Sequence, residues 1–302
     1  MIIKETGKVA KNFYVTGFST IPVYLLDGPE PVLFDAGFTA LAHHYERDIK
    51  KILGDREPAY LFLTHSHFDH IGAAGYFKSV WPDLKIIGSV RCQEILLKQK
   101  AIELIKNLNL EGLKSLKKMG VDDLYEKPFE PFSVDIQIKP EDDSQLPCDV
   151  TAINTSGHTW DFMSYWIPER KILIASEAVA TYENNGFLQV EFLVDFDAYL
   201  ESITKIKNLG AETLCLGHHA VFTDQDVTPH FKASIKAAND YLSMTEQFLE
   251  EEKGDIDCTV SRIKTKQWDN RPWPKQPESA YLLNTWQRVK TIWERMNRPD
   301  KR

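Results

Sequence analysis

The side chains of this chain that are best suited to chemistry form one short run of His65, His67, Asp69 and His70, which spans six residues. The run follows an apolar segment at residues 59–63 that predicts a buried β-strand. Alternate residues of an extended chain point the same way, so His65 and His67 would project together, with Asp69 and His70 at the turn that follows. A lone histidine is commonly a surface or core residue, but this density of ligand-forming groups predicts a metal site.

Three further candidate ligands, His158, Glu177 and His218, each lie at the C-terminal end of a strand-like apolar run. The runs cover residues 150–153, 171–175 and 213–216. Gly157 would allow the sharp turn that aims His158 inward. Imidazole and carboxylate ligands without thiolates suit Zn, Fe or Mn and argue against a structural Cys-rich zinc site.

The order of these motifs resembles that of the metallo-β-lactamase superfamily. The motifs are the His-x-His-x-Asp-His run, a Ser-Gly-His-Thr around His158, a strand-end acid and a Leu-Gly-His that ends at His218. A Phe-Asp-Ala-Gly at residues 34–37 resembles the family's N-terminal Asp-Thr/Ala-Gly element. The resemblance covers roughly residues 15–225 and implies an α/β fold, an αββα sandwich of the metallo-β-lactamase type.

The resemblance also implies a set of ligands for two divalent metal ions, with Zn favoured and Fe or Mn also suited. The first ion would be held by His65, His67 and His158, the second by Asp69, His70 and His218, and Glu177 would bridge the two.

The roles of Glu177 and of Asp35 each have an open alternative. Glu177 stands where the family usually has Asp, so its carboxylate has a longer stem, which leaves the spacing and identity of the metals open; it could also be an exposed strand-end acid. Asp35 could be the acceptor that orients a ligating imidazole, or it could be a turn residue before Gly37.

The aromatic residues Tyr182 and Phe187 follow the Glu177 strand and are candidates for the substrate pocket, although packing is the more common role of such side chains. His219 is expected to flank the metals without ligating, because two adjacent residues rarely aim at one point. For His230 the sequence indicates no partner.

Two helical segments extend the predicted core. A helical insertion at about residues 91–119 carries six lysines and would be either a lid over the metals or a docked helix pair with a solvated face. We therefore expect a catalytic core over residues 1–228 and a helical C-terminal extension over 229–302, packed on the core. Its Trp and Leu face could instead form a homodimer contact.

These two additions, the overall length and the sequence at residues 196–202 resemble the thioesterase-like branch of the superfamily.

Charge and composition exclude some partners. The formal net charge of −8 makes the chain a poor electrostatic partner for nucleic acid. The four cysteines are scattered, the N-terminus has no apolar signal segment, and no apolar run is long enough to span a bilayer. We therefore expect a cytoplasmic protein with no nucleic-acid or membrane partner.

The predicted function is that of a metal-dependent hydrolase in which a hydroxide bridging two metals attacks an acyl carbon. Asp69 is the predicted catalytic residue and would orient the nucleophile or carry a proton to the leaving group. Since a thiolate leaves with little acid assistance, the favoured substrate is a small-molecule thioester such as an acyl-CoA. The alternatives are a lactonase or carboxylic-ester hydrolase on the same site, a nuclease or phosphodiesterase, a redox di-iron protein, and a regulatory protein with a vestigial metal site.

Overall fold

The computed structural model describes residues 1–139, 146–183, 186–272 and 275–298. The chain forms two units, each drawn from several stretches of sequence. The first unit comprises Met1–Asn154, Asp161–Ser176 and Gly210–Val227, and the second comprises Thr155–Trp160, Glu177–Leu209 and Thr228–Arg302. The expected division of the chain after residue 228 stays a prediction.

The described strands are short. In chain order they are β1 (Ile2–Ile3), β2 (Gly7–Ala10), β3 (Phe13–Phe18), β4 (Ile21–Leu26), β5 (Val32–Phe34), β6 (Tyr60–Phe62), β7 (Lys85–Ser89), β8 (Ile136–Ile138), β9 (Thr151–Asn154), β10 (Met163–Ile167), β11 (Ile172–Ile174), β12 (Thr181–Tyr182), β13 (Leu188–Gln189), β14 (Thr213–Cys215) and β15 (Val221–Thr223).

The described helices are α1 (Ala42–Leu53), α2 (Phe68–Ile71), α3 (Ala74–Val80), α4 (Val90–Leu96), α5 (Gln99–Lys118), α6 (Phe196–Lys207), α7 (Val227–Glu251), α8 (Ile256–Lys264) and α9 (Glu278–Met296). Among the described residues, no helix combines the length and the apolar character needed to cross a bilayer.

The first unit contains two sheets. One has the strand order β2-β3-β4-β5-β6-β7-β8, and the other has the order β1-β15-β14-β11-β10-β9. Strands β5 and β6 pair in parallel with Phe34 opposite Phe62, so the loops that follow them leave the sheet side by side. Strands β11 and β14 also pair in parallel, with Ile174 opposite Cys215. In each sheet, parallel pairing brings the ends of two motif-bearing strands to one edge.

The seven-stranded sheet is buried on both faces, which explains why its central strands have continuous apolar sequences. Successive residues point to opposite faces. Leu33 and Leu61 pack with Tyr45 of α1 and other residues of the covering helices. Phe34 and Phe62 face the other way and pack against the six-stranded sheet, where the ring of Tyr165 lies 5.9 and 5.1 Å from theirs.

The helical insertion consists of α4 and α5, as the periodicity predicted. Leu96, Ile102, Ile105 and Leu116 are buried in the core between the helices and the seven-stranded sheet. These contacts are those of a docked helix pair.

The second unit holds the predicted helical tail, in which α7 and α9 are the two longest helices. It also contains the hairpin β12–β13 and helix α6. Helix α9 is attached to the segment after the hairpin, since Gln287 and Thr291 both donate to the carbonyl of Leu193, at 2.9 and 2.8 Å.

Candidate metal centre

The loop after β6 gathers the histidines of the first motif. The chain is extended up to His67, where φ is −68° and ψ is 146°, and α2 then begins at Phe68. The ring centroids of His65 and His67 lie 4.5 Å apart, as do those of His65 and His70. The three imidazoles therefore converge within the first unit.

Asp69, His70 and His218 form a group whose ligand atoms all lie within 4.8 Å of one another. Oδ2 of Asp69 is 3.9 Å from Nε2 of His70 and 3.5 Å from Nε2 of His218. The first turn of α2 carries Asp69 and His70, and the segment after β14 carries His218. This arrangement could hold a metal ion.

The far side of each of these two imidazoles is fixed by a hydrogen bond. Nδ1 of His70 lies 2.9 Å from Oδ2 of Asp35, and Nδ1 of His218 lies 3.0 Å from the carbonyl oxygen of Thr20. With Nδ1 donating to oxygen, Nε2 is the nitrogen of each ring that would meet a metal. Such outer hydrogen bonds fix the tautomer and direction of ligating imidazoles.

Asp35 also fixes the end of β6. Its carboxylate accepts from the backbone N–H of Thr64 at 2.8 Å and from the Thr64 hydroxyl at 2.9 Å. The Thr64 hydroxyl lies 3.0 Å from Nδ1 of His65. Asp35 is only 3% exposed and has φ of 58°, so its backbone turns sharply while its carboxylate holds two neighbouring segments. The geometry combines both roles that the sequence left open for Asp35.

The loops after β5 and β6 are joined by backbone hydrogen bonds. The N–H of Ala36 donates to the carbonyl of His70 at 2.6 Å, and the N–H of Gly72 donates to that of Gly37 at 2.7 Å. A Cβ atom at Gly72 would lie 2.4 Å from the backbone nitrogen of Thr39. Glycine is therefore required at residue 72 by the close approach of these loops.

Sequence reasoning missed Asp161, a buried acid that supports the same motif. Its Oδ2 accepts from the N–H of Ser66 at 2.8 Å. The ring of Phe162, the next residue, stacks on His65 at 4.6 Å. The sequence signal is weak, because an acid directly before an apolar strand is common in solvent-exposed turns.

In the second unit, His158 is oriented by a backbone carbonyl. Its Nδ1 donates to the carbonyl oxygen of Glu191, which leaves Nε2 as the nitrogen that would act as ligand. Gly157 has φ of 130°, and a Cβ atom there would lie 2.5 Å from Cα of Tyr199. Residue 157 must therefore be glycine, both because of its backbone conformation and because no side chain fits beside Tyr199.

Glu177 is 2% exposed, so the alternative of an exposed strand-end acid is wrong. It follows Ser176, whose φ of 47° lies in the left-handed region that glycine adopts most readily. Three residues later, the backbone of Ala180 is held by two side chains. Nε2 of His230 lies 3.0 Å from the carbonyl oxygen of Ala180, and the N–H of Ala180 donates to the hydroxyl of Ser234 at 3.3 Å. His230, for which the sequence indicated no partner, thus supports the turn that follows Glu177.

The two aromatic candidates lie on the hairpin of the second unit. Tyr182 is in β12, and Phe187 borders a cavity of about 410 Å³. The cavity walls include Leu188, Val190 and Met244, and polar groups such as Lys266 also face it. The guanidinium of Arg271 lies 4.1 Å from the centre of the Phe187 ring. Phe187 therefore contributes to a cavity wall, whereas Tyr182 does not border this cavity.

The donor atoms described above fit a divalent metal. They are imidazole nitrogens and carboxylate oxygens, several are buried, and the outer nitrogens of His70, His158 and His218 are already engaged by oxygen acceptors.

Comparisons with known proteins give a consistent result. The sequence profile of the Metallo-beta-lactamase superfamily matches residues 16–218. The probable metallo-hydrolase YflN of Bacillus subtilis (strain 168) is 28% identical over 237 residues, which cover 72% of this chain and 88% of that protein.

Similar solved structures include an archaeal metallo-beta-lactamase superfamily protein from Sulfolobus tokodaii (18% identity, TM-score 0.59, covering 95% of this chain and 100% of that one). Another is a metallo-beta-lactamase family protein from Thermus thermophilus (15% identity, TM-score 0.60, covering 94% and 89%). At this level of identity they inform on the fold alone, and they confirm the predicted sandwich fold of the metallo-β-lactamase type. The profile covers most of the chain and every motif from which the resemblance was drawn, so the chain belongs to the metallo-beta-lactamase superfamily.

Proposed function

We propose that this protein is a metal-dependent hydrolase of small acyl thioesters that holds two divalent cations, with Zn as the expected metal. The observation that carries the proposal is the group formed by Asp69, His70 and His218, with Asp35 and the carbonyl of Thr20 behind the two imidazoles. Such prepared donor sets are typical of catalytic metal sites, in which outer hydrogen bonds orient the ligands.

We assign His65, His67 and His158 to the first cation, and we assign Glu177 to a bridging position. Covalent connectivity supports this assignment. His158 lies in a six-residue stretch, 155–160, whose flanking residues both belong to the first unit. Glu177 is bonded to Ser176, the first unit's residue that ends the β11 segment. Strand β11 itself pairs in parallel with β14, the strand that leads to His218.

When bound, the two cations would lower the pKa of a shared water and polarise an acyl carbonyl. Asp69 is 18% exposed in its side chain and is the acid that we assign to proton handling at the leaving group. A thiol has a pKa near 8.5, so a thiolate leaves with little assistance and one weak acid is sufficient. This is why a thioester is favoured over an ester or lactone.

We further propose that the cavity of the second unit binds small organic molecules. Phe187, Leu188, Val190 and Met244 give it apolar walls, while Lys266 supplies a cation for a polar or anionic end. Ligand sites commonly combine apolar walls with few polar groups in this way. These features, with the helical insertion and tail, also favour the thioesterase-like branch of the superfamily.

The test is hydrolysis of a panel of acyl-CoA thioesters of increasing acyl length, with lactones and carboxylic esters alongside, and with bound metal measured in the same samples. We expect thioester turnover that depends on acyl length, requires about two cations per chain, and is lost in His70→Ala. His44→Ala is the control, because His44 lies on α1 and contacts the carbonyl of Asp122. Lactone turnover without thioester turnover would make the protein a lactonase. A fully metallated protein that hydrolyses none of these substrates would contradict the proposal and favour a regulatory role.

A further inference from the structure

A polar side chain is buried at the contact between the helical insertion and the metal-binding loops. Asn109 of α5 is 4% exposed and lies on the same helix face as the buried Ile102, Ile105 and Leu116. Burial of an amide is unfavourable unless its groups are hydrogen-bonded. The position is therefore informative about what the amide binds.

The amide of Asn109 bridges two loops. Its Oδ1 accepts from the N–H of Thr39 at 3.0 Å, and its Nδ2 donates to the carbonyl of Phe68 at 3.2 Å and to that of Ile105 at 3.1 Å. Thr39 lies in the loop that carries Asp35, and Phe68 is the residue between His67 and Asp69. One side chain of the insertion thus contacts both loops of the metal-binding motif.

The surroundings make this contact specific. The rings of Phe38 and Phe68 pack at 5.3 Å, and a Cβ atom at Gly112 of α5 would lie 3.3 Å from the Phe38 ring. The hydroxyl of Thr39 donates to the carbonyl of Gly72 at 2.7 Å. Helix α5 therefore lies against the two loops at close range, with Asn109 as its buried polar contact.

We propose that Asn109 is a positioning residue that fixes the first turn of α2 and so the directions of Asp69 and His70. This inference rests on the proposed function and makes the helical insertion a fixed support of the site. Because the amide holds the carbonyl of Phe68, its loss would act on the second cation's ligands more than on the first's. His65, by comparison, contacts Thr64 and Phe162, and Asp161 holds the N–H of the next residue, Ser66.

Two substitutions of similar size separate the contacts. Asn109→Asp keeps an oxygen that can accept from Thr39 but places a second oxygen against the carbonyl of Phe68. Asn109→Leu removes both contacts and keeps an apolar side chain in the core. Asn107→Asp is the control, because Asn107 lies on the exposed face of the same helix.

The measurement is a titration of the metal-free protein with Zn²⁺ that resolves the two binding steps. Co²⁺ can be used instead, with its absorption spectrum as the signal. Hydrogen exchange of residues 68–71 and the free energy of unfolding are measured without metal. We expect both Asn109 variants to bind the first cation as the wild type does, to bind the second about tenfold or more weakly, and to exchange faster in α2. Asn107→Asp should match the wild type in each respect.

Three results would overturn the proposal. In the first, the affinity for the second cation is unchanged in both Asn109 variants. In the second, both affinities fall together in proportion to a lowered free energy of unfolding, as a purely structural role predicts. In the third, the wild type itself binds no second cation, which contradicts the proposed function and this role together and is recognised without any variant.

Discussion

Asp35 holds the metal-binding loop through both oxygens of its carboxylate. Its carboxylate accepts from the backbone and hydroxyl of Thr64 and lies 2.9 Å from Nδ1 of His70. A buried carboxylate in this position accepts the hydrogen bond of a backbone N–H at the end of a strand and also sets the direction of an imidazole. Its two effects, on folding and on metal binding, can be measured separately.

We predict that Asp35→Ala lowers the free energy of unfolding of the metal-free protein by about 1–3 kcal/mol, because the buried N–H of Thr64 loses its acceptor. We predict that Asp35→Asn weakens metal binding by about 10- to 100-fold, because the amide no longer presents a charged acceptor to His70. Chemical denaturation and metal titration check the two effects. Asp48→Asn is the control, since Asp48 also accepts a backbone N–H, from Gly17 at 2.9 Å, but contacts no candidate ligand. Equal effects of Asp48→Asn and Asp35→Asn on metal affinity would contradict the prediction.

At this scale the sequence predicted residues whose types are themselves informative. Three histidines and an aspartate within six positions indicate a metal site without knowledge of the fold. The acceptors behind the imidazoles could not be predicted in the same way, because the carbonyls of Thr20 and Glu191 belong to the backbone and have no sequence signature. Asp161 was missed because its role depends on contact with Ser66, 95 residues away.

Among the elements, α7 supports the turn after Glu177 through His230 and Ser234, which lie one helical turn apart. Burial lowers the pKa of His230 to about 4, although its hydrogen bond to Ala180 acts in the opposite direction. The structure therefore holds this imidazole neutral at ordinary pH, donating to a carbonyl.

This predicts a pH dependence of stability. Folding lowers the pKa of His230 from its ordinary value, 6.5, so the unfolded chain binds more protons between about pH 6.5 and pH 4, and the free energy of unfolding falls as the pH falls through that window. We expect His230 to account for a loss of about 2 kcal/mol between pH 7 and pH 5. His230→Gln should remove this contribution to the dependence of the free energy of unfolding on pH. Burial also lowers the pKa of His219 to about 4, so the contribution of His219 should remain in the variant. Denaturation at both pH values measures this, with His44→Gln as control; identical slopes for wild type and His230→Gln would exclude it.

Helix α9 supports the segment that orients His158. Nη1 of the fully buried Arg288 donates to the carbonyl of Val190 at 2.5 Å, and the next residue, Glu191, accepts from His158. We predict that Arg288→Ala lowers the free energy of unfolding by about 3 kcal/mol, because buried polar groups lose their partner. Metal affinity should fall as well.

The control for this prediction is Arg298→Ala. The side chain of Arg298 is 45% exposed and pairs with Asp195 at 2.8 Å, so its loss should cost about 1 kcal/mol at most. Denaturation and metal titration of both variants test the comparison. Equal losses of stability, or an Arg288→Ala protein with unchanged metal affinity, would show that α9 does not support His158.

The helical insertion and the helical tail were predicted from their periodic patterns, and the strands β6, β9, β11 and β14 were predicted from their apolar runs. Strands β13 and β15 were not predicted, because neither coincides with an apolar run that ends in a candidate ligand and no alternation can be recognised over so few residues. The helical extension was predicted as a whole, and the bounds of the short helix α8 within it were not.

At the scale of the whole molecule, the second unit combines segments from before and after residue 228. Segment 177–209 is attached to the tail through Ala180 and through Asp197, which pairs with Arg295 at 3.0 Å. Aromatic contacts follow the same pattern, since the ring of Phe192 lies 5.8 Å from that of Tyr241. A chain that contained only the predicted core, residues 1–228, would therefore lack the tail residues that segment 177–209 contacts.

We predict that a chain truncated after residue 228 unfolds at a lower temperature than the full chain, or aggregates, because Phe192 and its neighbours become exposed. A chain that ends at Arg298 is the control, since it keeps every contact described for the tail. Thermal unfolding measured by circular dichroism would show the difference. A truncated chain that unfolds cooperatively at the same temperature would instead establish residues 1–228 as an independent domain.

The central claim is that the candidate ligands assigned to the first and to the second cation together hold two cations. It is tested most directly by calorimetric titration of Zn²⁺ into the metal-free wild type, into His218→Ala and into His44→Ala. Our account predicts about two equivalents for the wild type and for His44→Ala, and loss of the second for His218→Ala. A wild type that binds no cation, or a His218→Ala protein that binds two as tightly as the wild type, would contradict it.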